Sequence, residues 1–171
     1  MNYKDYIRVI PDFPQPGIMF KDITTLLQRG DIFQAVIRDM QSKVQHLQID
    51  AIAGPEARGF VFGAPLAASL GVGFIPIRKS GKLPGKTVEA SYDLEYGEDR
   101  LAIHADAIKA GQKILIVDDL LATGGTIATT SELIRQVGGE IVGALFLIEL
   151  TYLQGKQKLA PIVVDSLIQY D

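Results

Sequence analysis

The residues best suited to chemistry lie in one run, Lys113-Ile-Leu-Ile-Val-Asp-Asp-Leu-Leu-Ala-Thr-Gly-Gly-Thr126. An apolar strand delivers two adjacent acids, and a short Gly-rich turn then opens a helix. Ligands in open α/β sheets bind beyond the carboxyl ends of strands, which is where this pattern puts Asp118 and Asp119. Ala122, Thr123, Gly124, Gly125 and Thr126 offer consecutive amide N–H groups and two hydroxyls at a helix N-terminus. Orphan donors and the positive end of the helix dipole favour a phosphate there. Gly124 and Gly125 are expected to approach that phosphate where any Cβ would intrude. The run is not a Walker A loop, because no Gly-Lys-Ser/Thr follows, and not G-x-G-x-x-G, because its glycines are adjacent. Two carboxylates would repel a neighbouring phosphate unless hydroxyl donors or a divalent cation intervene. A ribose phosphate brings the hydroxyls, and Mg²⁺ can neutralise a second phosphate group.

Elements must hold this run in place. Short apolar runs at Ile49–Ala53, Phe74–Ile77, Ile114–Val117, Ile141–Ile148 and Ile162–Ile168 read as buried strands. Phe33, Ile37, Met40, Val44 and Leu47 form one stripe of an amphipathic helix with Asp31 as N-cap. Gly59 to Leu70 reads as a second helix, kinked or started late by Pro65. A third carries the stripe Ile127, Thr130, Leu133, Ile134 and Val137 and ends at Gly138-Gly139. Strand–helix alternation with this spacing predicts an α/β fold, a largely parallel twisted sheet flanked by helices. Pro11, Pro14 and Pro16 make residues 11–18 a fixed irregular segment. Residues 79–100, rich in glycine and charge, are expected to stand outside the core. Val88–Leu94 and Leu101–Ile103 would pair there as a projecting hairpin, turning at Tyr96-Gly97-Glu98-Asp99.

The 171 residues suit a single domain, and 47% hydrophobic with 22% charged residues describes an ordinary globular chain. Seventeen Lys and Arg against twenty Asp and Glu give a net charge of -3, which disfavours nucleic acid as a partner. The absence of cysteine removes disulfides, thiolate metal sites and thiol catalysis. The N-terminus lacks the apolar core of a signal peptide and no run of about 20 apolar residues occurs, so a cytoplasmic protein without a membrane span is expected. His46 and His104 read as structural.

The Asp-Asp-x-x-Ala-Thr-Gly-Gly-Thr run resembles the phosphoribosyl diphosphate signature of type I phosphoribosyltransferases. Further runs narrow the likeness: Phe13-Pro14-x-Pro16-Gly17-Ile18-x-Phe20-x-Asp22-Ile23, Gly54-Pro55-Glu56-Ala57-Arg58-Gly59-Phe60, Arg78-Lys79-x-Gly81-Lys82-Leu83-Pro84-Gly85, Tyr92-x-Leu94-Glu95-Tyr96-Gly97 and Lys158-Leu-Ala-Pro. With these, essentially the whole chain is similar to the adenine phosphoribosyltransferase family. The resemblance implies transfer of the 5-phosphoribosyl group of phosphoribosyl diphosphate to N9 of adenine in purine salvage, giving AMP and pyrophosphate, by a homodimer.

It also implies roles. Ala122 to Thr126 would hold the ribose 5-phosphate and Asp118 and Asp119 the ribose hydroxyls. Glu56, Ala57, Arg58, Lys79 and Lys82 would meet the diphosphate, with a cis peptide at Glu56–Ala57. Met19, Phe20 and Lys21 would hold adenine within an N-terminal hood of about residues 1–30, and residues 79–100 would form a lid. Glu95 would be the catalytic acid or base, handling a proton at N9 or N7. Mg²⁺ would be carried mainly by the diphosphate and ribose, with no direct protein ligand. From residue chemistry alone, Lys156 or Lys158 could instead aim at O6 of a 6-oxopurine. A phosphoribosyl-binding regulator without catalysis is the rival class, against which the net charge and the lack of an appended DNA-binding segment count.

Overall fold

A computed structural model describes residues 1–94 and 97–171. The chain divides into two compact units, Met1–Asp39 and Met40–Asp171.

In the first unit, β1 (Arg8–Ile10) pairs antiparallel with β2 (Phe20–Asp22), with Arg8 opposite Asp22. These short strands were not legible in the sequence. Between them residues 11–18 are irregular, as three prolines dictate, and Asp12 accepts the Gly17 N–H at 2.7 Å to close the loop. α1 (Thr24–Leu27) follows, and then α2 (Gly30–Val44), which crosses the division between the units. Asp31 lies inside the first turn of α2 rather than capping it, and pairs with Arg29 at 2.9 Å. The buried face of α2 is Ile32, Ala35, Val36, Met40 and Val44. Phe33 and Ile37, expected on that face, are only half-buried.

The second unit is a seven-stranded sheet. In chain order it comprises β3 (Ala51–Pro55), α3 (Arg58–Leu70), β4 (Gly73–Lys79), β5 (Thr87–Leu94), β6 (Gly97–His104), β7 (Lys113–Leu121), α4 (Gly125–Gln136), β8 (Glu140–Leu150), α5 (Gly155–Leu159) and β9 (Val164–Tyr170). The spatial order is β5-β6-β4-β3-β7-β8-β9. β4, β3, β7, β8 and β9 are parallel, while β6 joins β4 and β5 antiparallel. One face buries Ala51, Ala53, Ile75, Ile77, Ile114, Ile116, Ala144 and Phe146 with Ile127, Leu133 and Ile134 of α4. The alternate residues Ile52, Leu115 and Leu145, also buried, belong to the opposite face, where α3 brings Phe62 and Leu66. Pro65 sits inside α3. In α4 the buried hydroxyls of Thr129, Thr130 and Ser131 bond back to the carbonyls of Gly125, Thr126 and Ala128, so a polar run is satisfied within its own helix.

Residues 79–100 depart from expectation. Ala90 is buried in the main core, Val88 and Tyr92 pack against it, and the hairpin is the edge of the sheet itself. Gly97, Glu98 and Asp99 are already strand, not turn, and Tyr96 lies outside the described residues. An edge hairpin carries charge on its outer face, and that charge masked the apolar side in the sequence. Among the described residues no helix is long and apolar enough to cross a membrane.

Candidate active site

The sheet opens at one point. β7 pairs with β3 only as far as Ile116, whereas it stays paired with β8 to Leu121. Beyond Ala53, Gly54 and Pro55 of β3 pair only on the other side, with Pro76 and Ile77 of β4. The chain leaves β3 through α3 toward one edge and leaves β7 through α4 toward the other, so the gap is the topological switch point where α/β sheets bind ligands.

A cavity of about 280 Å³ lies there, lined by Glu56, Ala57, Arg58, Asp118, Asp119 and the stretch Leu120 to Ile127. The two acids are part of β7, not of a loop after it, which fixes their backbone on the sheet. Asp119 is 3% exposed, and its amide donates to Asp118 Oδ1 at 2.8 Å. Arg58 Nε lies 3.0 Å from Asp119 Oδ2, an ion pair by distance whose N–H is not aligned, since that buried oxygen accepts no hydrogen bond among the described residues. Burial, and then the charge of Asp119, push the Asp118 carboxyl well above the usual range. Asp118 itself is half-buried, at the mouth of the cavity. Burial also raises Asp119, although Arg58 opposes it.

Two helices begin at this cavity. α4 starts at Gly125, with Gly124 at the N-cap and no side chain capping it; α3 starts at Arg58, with Ala57 at the N-cap and again no capping side chain. First-turn amides lack partners within their helix, so both ends offer donors and positive dipole ends to anions. The Glu56–Ala57 peptide is cis, as expected. Gly59 sits on the first turn of α3 where a Cβ would be 2.9 Å from Pro55 Cδ and 3.1 Å from Asp118 Oδ1. That glycine lets the helix close against the dyad, a requirement missed in the sequence.

The expectation for Gly124 needs correcting. Its φ is +86°, and a Cβ there would lie 2.8 Å from the carbonyl oxygen of Gly155, so the space it leaves is filled by the protein's own backbone. A side chain at Gly124 would therefore disturb folding and not only ligand contact.

The remaining expected residues divide. The Glu56 N–H is committed to Ile77 O at 2.8 Å, and its carboxylate accepts the Lys79 N–H at 2.6 Å and faces Arg78 at 3.4 Å. Burial pushes Glu56 up, but the Lys79 amide, Arg78 and Lys82 outweigh it and hold the carboxyl below its usual value. Glu56 thus anchors β4, leaving anion donation to the residues after it. Lys79 pairs with Asp99 at 3.2 Å, and Lys82 is exposed; neither lines the cavity. Tyr92, which the sequence quoted only within a family-like run and gave no role, donates to the same Asp99 oxygen at 3.1 Å. Met19, Phe20 and Lys21 belong to the first unit, Met19 being 49% exposed just before β2. Glu95 lies outside the described residues. His104 Nε2 is 2.9 Å from Pro84 O.

An acid pair between two uncapped helix ends suits a phosphorylated sugar, and residues 22–168 match the family described as phosphoribosyl transferase domain. The chain is 62% identical to adenine phosphoribosyltransferase of Brevibacillus brevis, over 99% of this chain and 100% of that one. Its fold superposes on the crystal structure of adenine phosphoribosyltransferase from Thermoanaerobacter pseudethanolicus with a TM-score of 0.96 at 51% identity, covering 98% and 97% of the two chains. The Saccharomyces cerevisiae adenine phosphoribosyltransferase, complexed with adenine and an imino-altritol bisphosphate, gives 0.91 at 40% identity over 96% and 95%. The chain belongs to the adenine phosphoribosyltransferase family.

Proposed function

We propose that the chain transfers the 5-phosphoribosyl group of phosphoribosyl diphosphate to N9 of adenine, forming AMP and pyrophosphate in purine salvage. One observation carries the reading: two uncapped helix N-termini and a pair of acids, Asp119 buried and Asp118 half-buried, line one cavity at the sheet's switch point. The ligand that suits it has phosphate at both ends and hydroxyls between. The names of the relatives and the adenine in the yeast complex support the choice of base.

In this reading Ala122, Thr123, Gly124, Gly125 and Thr126 seat the 5-phosphate, and Asp118 and Asp119 accept hydrogen bonds from the ribose hydroxyls. Ala57 and Arg58 take the diphosphate at the start of α3, with Lys79 and Lys82 reaching it from the β4 end and the turn after it. Glu56 holds that end of β4 in place. Mg²⁺ would be carried mainly by the oxygens of the diphosphate and ribose, with Asp118 and Asp119 acting on the ribose hydroxyls and not as direct ligands. When bound, Mg²⁺ would draw charge from the departing pyrophosphate. As the C1–oxygen bond breaks, the developing ribosyl cation is captured by N9, and the N9 proton leaves to a base. Glu95 is assigned to that proton, or to the one supplied at N7, on its motif. Positioning and fixed charge suffice for such a transfer, and no covalent intermediate is required. Met19, Phe20 and Lys21 are assigned to adenine, the exposed Met19 suiting an apolar wall over the ring. A hood over about residues 1–30, a lid over about 79–100, a homodimer and a cytoplasmic location complete the proposal.

Pyrophosphate release from phosphoribosyl diphosphate with Mg²⁺, offered adenine, hypoxanthine, guanine or xanthine in turn, tests it. Turnover with adenine alone is expected. Binding without release would make the chain a regulator, and turnover preferring a 6-oxopurine would overturn the base.

A further inference from the structure

The short helix α5 is fixed on the anion cradle by contacts that allow little variation. Gln154, just before it, has a φ of 55° and a ψ of 29°, a left-handed conformation uncommon for a residue with a side chain. A Cβ at Gly155 would run into Ala122 O, so α5 and the cradle meet backbone to backbone. Leu159 is 3% exposed and belongs to the main core. Lys156 Nζ pairs at 2.9 Å with the buried Glu149, whose Oε2 also accepts from Ser166 Oγ at 3.0 Å and Gln169 Nε2 at 3.2 Å.

Lys158 is two residues further on, roughly 200° around the helix. Its Nζ lies 3.8 Å from the position that a Cβ on Gly125 would take, beside the first residue of α4. Among the described residues it has no acidic partner, in contrast to Lys156. A lysine placed without a counter-charge at the positive end of a helix dipole is electrostatically unfavourable, and an anion at that helix end reverses the sign. The sequence left Lys156 and Lys158 as alternative readers of a purine oxygen. Lys156 is instead committed to Glu149, and Lys158, exposed and outside the lining of the cavity, brings its Nζ beside the first residue of α4.

We propose that Lys158 is a binding residue for the 5-phosphate of the substrate, adding a charged donor to the neutral amides of Ala122 to Thr126. The proposal rests on the phosphoribosyl reading of that cavity. It makes Lys158 the group by which the site prefers a phosphorylated ribose to a bare one.

Lys158→Gln and Lys158→Arg in the full chain test this, with AMP binding followed by calorimetry and adenosine measured as a competitive inhibitor. Lys158→Gln should weaken AMP about tenfold, as loss of one charge-assisted hydrogen bond does, while Lys158→Arg restores most of it and adenosine is unchanged. The KM for phosphoribosyl diphosphate should rise with kcat nearly constant, the mark of lost uniform binding. AMP affinity within twofold of the parent, or equal losses for AMP and adenosine, would overturn the role of Lys158 and leave the cavity's reading intact. A parent protein that binds neither AMP nor phosphoribosyl diphosphate would overturn both.

Discussion

Two acidic regions of this chain are treated in opposite ways. In the first unit, Asp22 is buried and both of its carboxylate oxygens are engaged: Oδ1 accepts from Thr24 N at 2.9 Å and Thr24 Oγ1 at 2.7 Å, and Oδ2 from Arg8 Nε at 2.9 Å. The Thr24 amide, then Arg8, bring its pKa down to about 2. In the second unit, Asp118 and Asp119 are adjacent on β7, the Asp119 and Leu120 amides and Arg58 hold the charge of the pair, and burial still pushes both carboxyls up. A carboxylate that the fold uses for itself is saturated with donors. A pair whose charge burial penalises, and of which one buried oxygen accepts nothing among the described residues, is poised for hydroxyls from outside.

The contrast is broken or sharpened by substitution. Removing both charges of the dyad, Asp118→Asn with Asp119→Asn, should have the largest effect, lowering kcat/KM about 10² to 10³-fold, as for loss of a preorganised electrostatic contact. Steady-state pyrophosphate release measures it, and unimpaired turnover would mean that the dyad is only structural. Next comes Asp22→Ala, which strands Arg8 and Thr24 and should cost about 1 to 3 kcal/mol in denaturant unfolding. Because Asp22 titrates below its ordinary value, its stabilisation is full above about pH 4 and is lost as pH falls through about 2, so the gap to the variant should close there.

The smallest effect has the opposite sign. Asp118→Asn keeps an acceptor for the Asp119 amide but removes a charge that burial penalises, so at pH 7 its melting temperature should rise by a few degrees. A raised folded-state pKa gives stability that is complete below about pH 4 and is lost as pH climbs through the folded value. The advantage of the variant should therefore vanish in acid. A variant less stable than the parent at pH 7 would show that Asp118 is as well partnered as Asp22.

Much of the second unit was legible because its strands are buried on both faces and read as apolar runs, and because Asp118 to Thr126 pair a strand with a glycine-rich helix start. The class of site followed from that run, and Arg58 lines the cavity beside the dyad as the family likeness implied. The edge hairpin was less legible, since Ala90 and Tyr92 alternate with charge and only the register against β6 shows which side is core. Gly155 left no trace, Gly59 stood only as part of a family-like run, and Lys158 was read only as a candidate for a purine oxygen. Their importance arises from what approaches them in space, Asp118 Oδ1, Ala122 O and the start of α4, and sequence spacing does not encode those approaches.

The most direct test of the central claim is to follow the carboxyl carbons of Asp118 and Asp119 by NMR against pH, in the free protein and with phosphoribosyl diphosphate and Mg²⁺ bound. The account predicts a dyad titrating above the ordinary carboxylate range when free and falling back when the ligand supplies donors and cation, with a proton released on binding. A dyad at the ordinary value in both states, unmoved by the ligand, would contradict it.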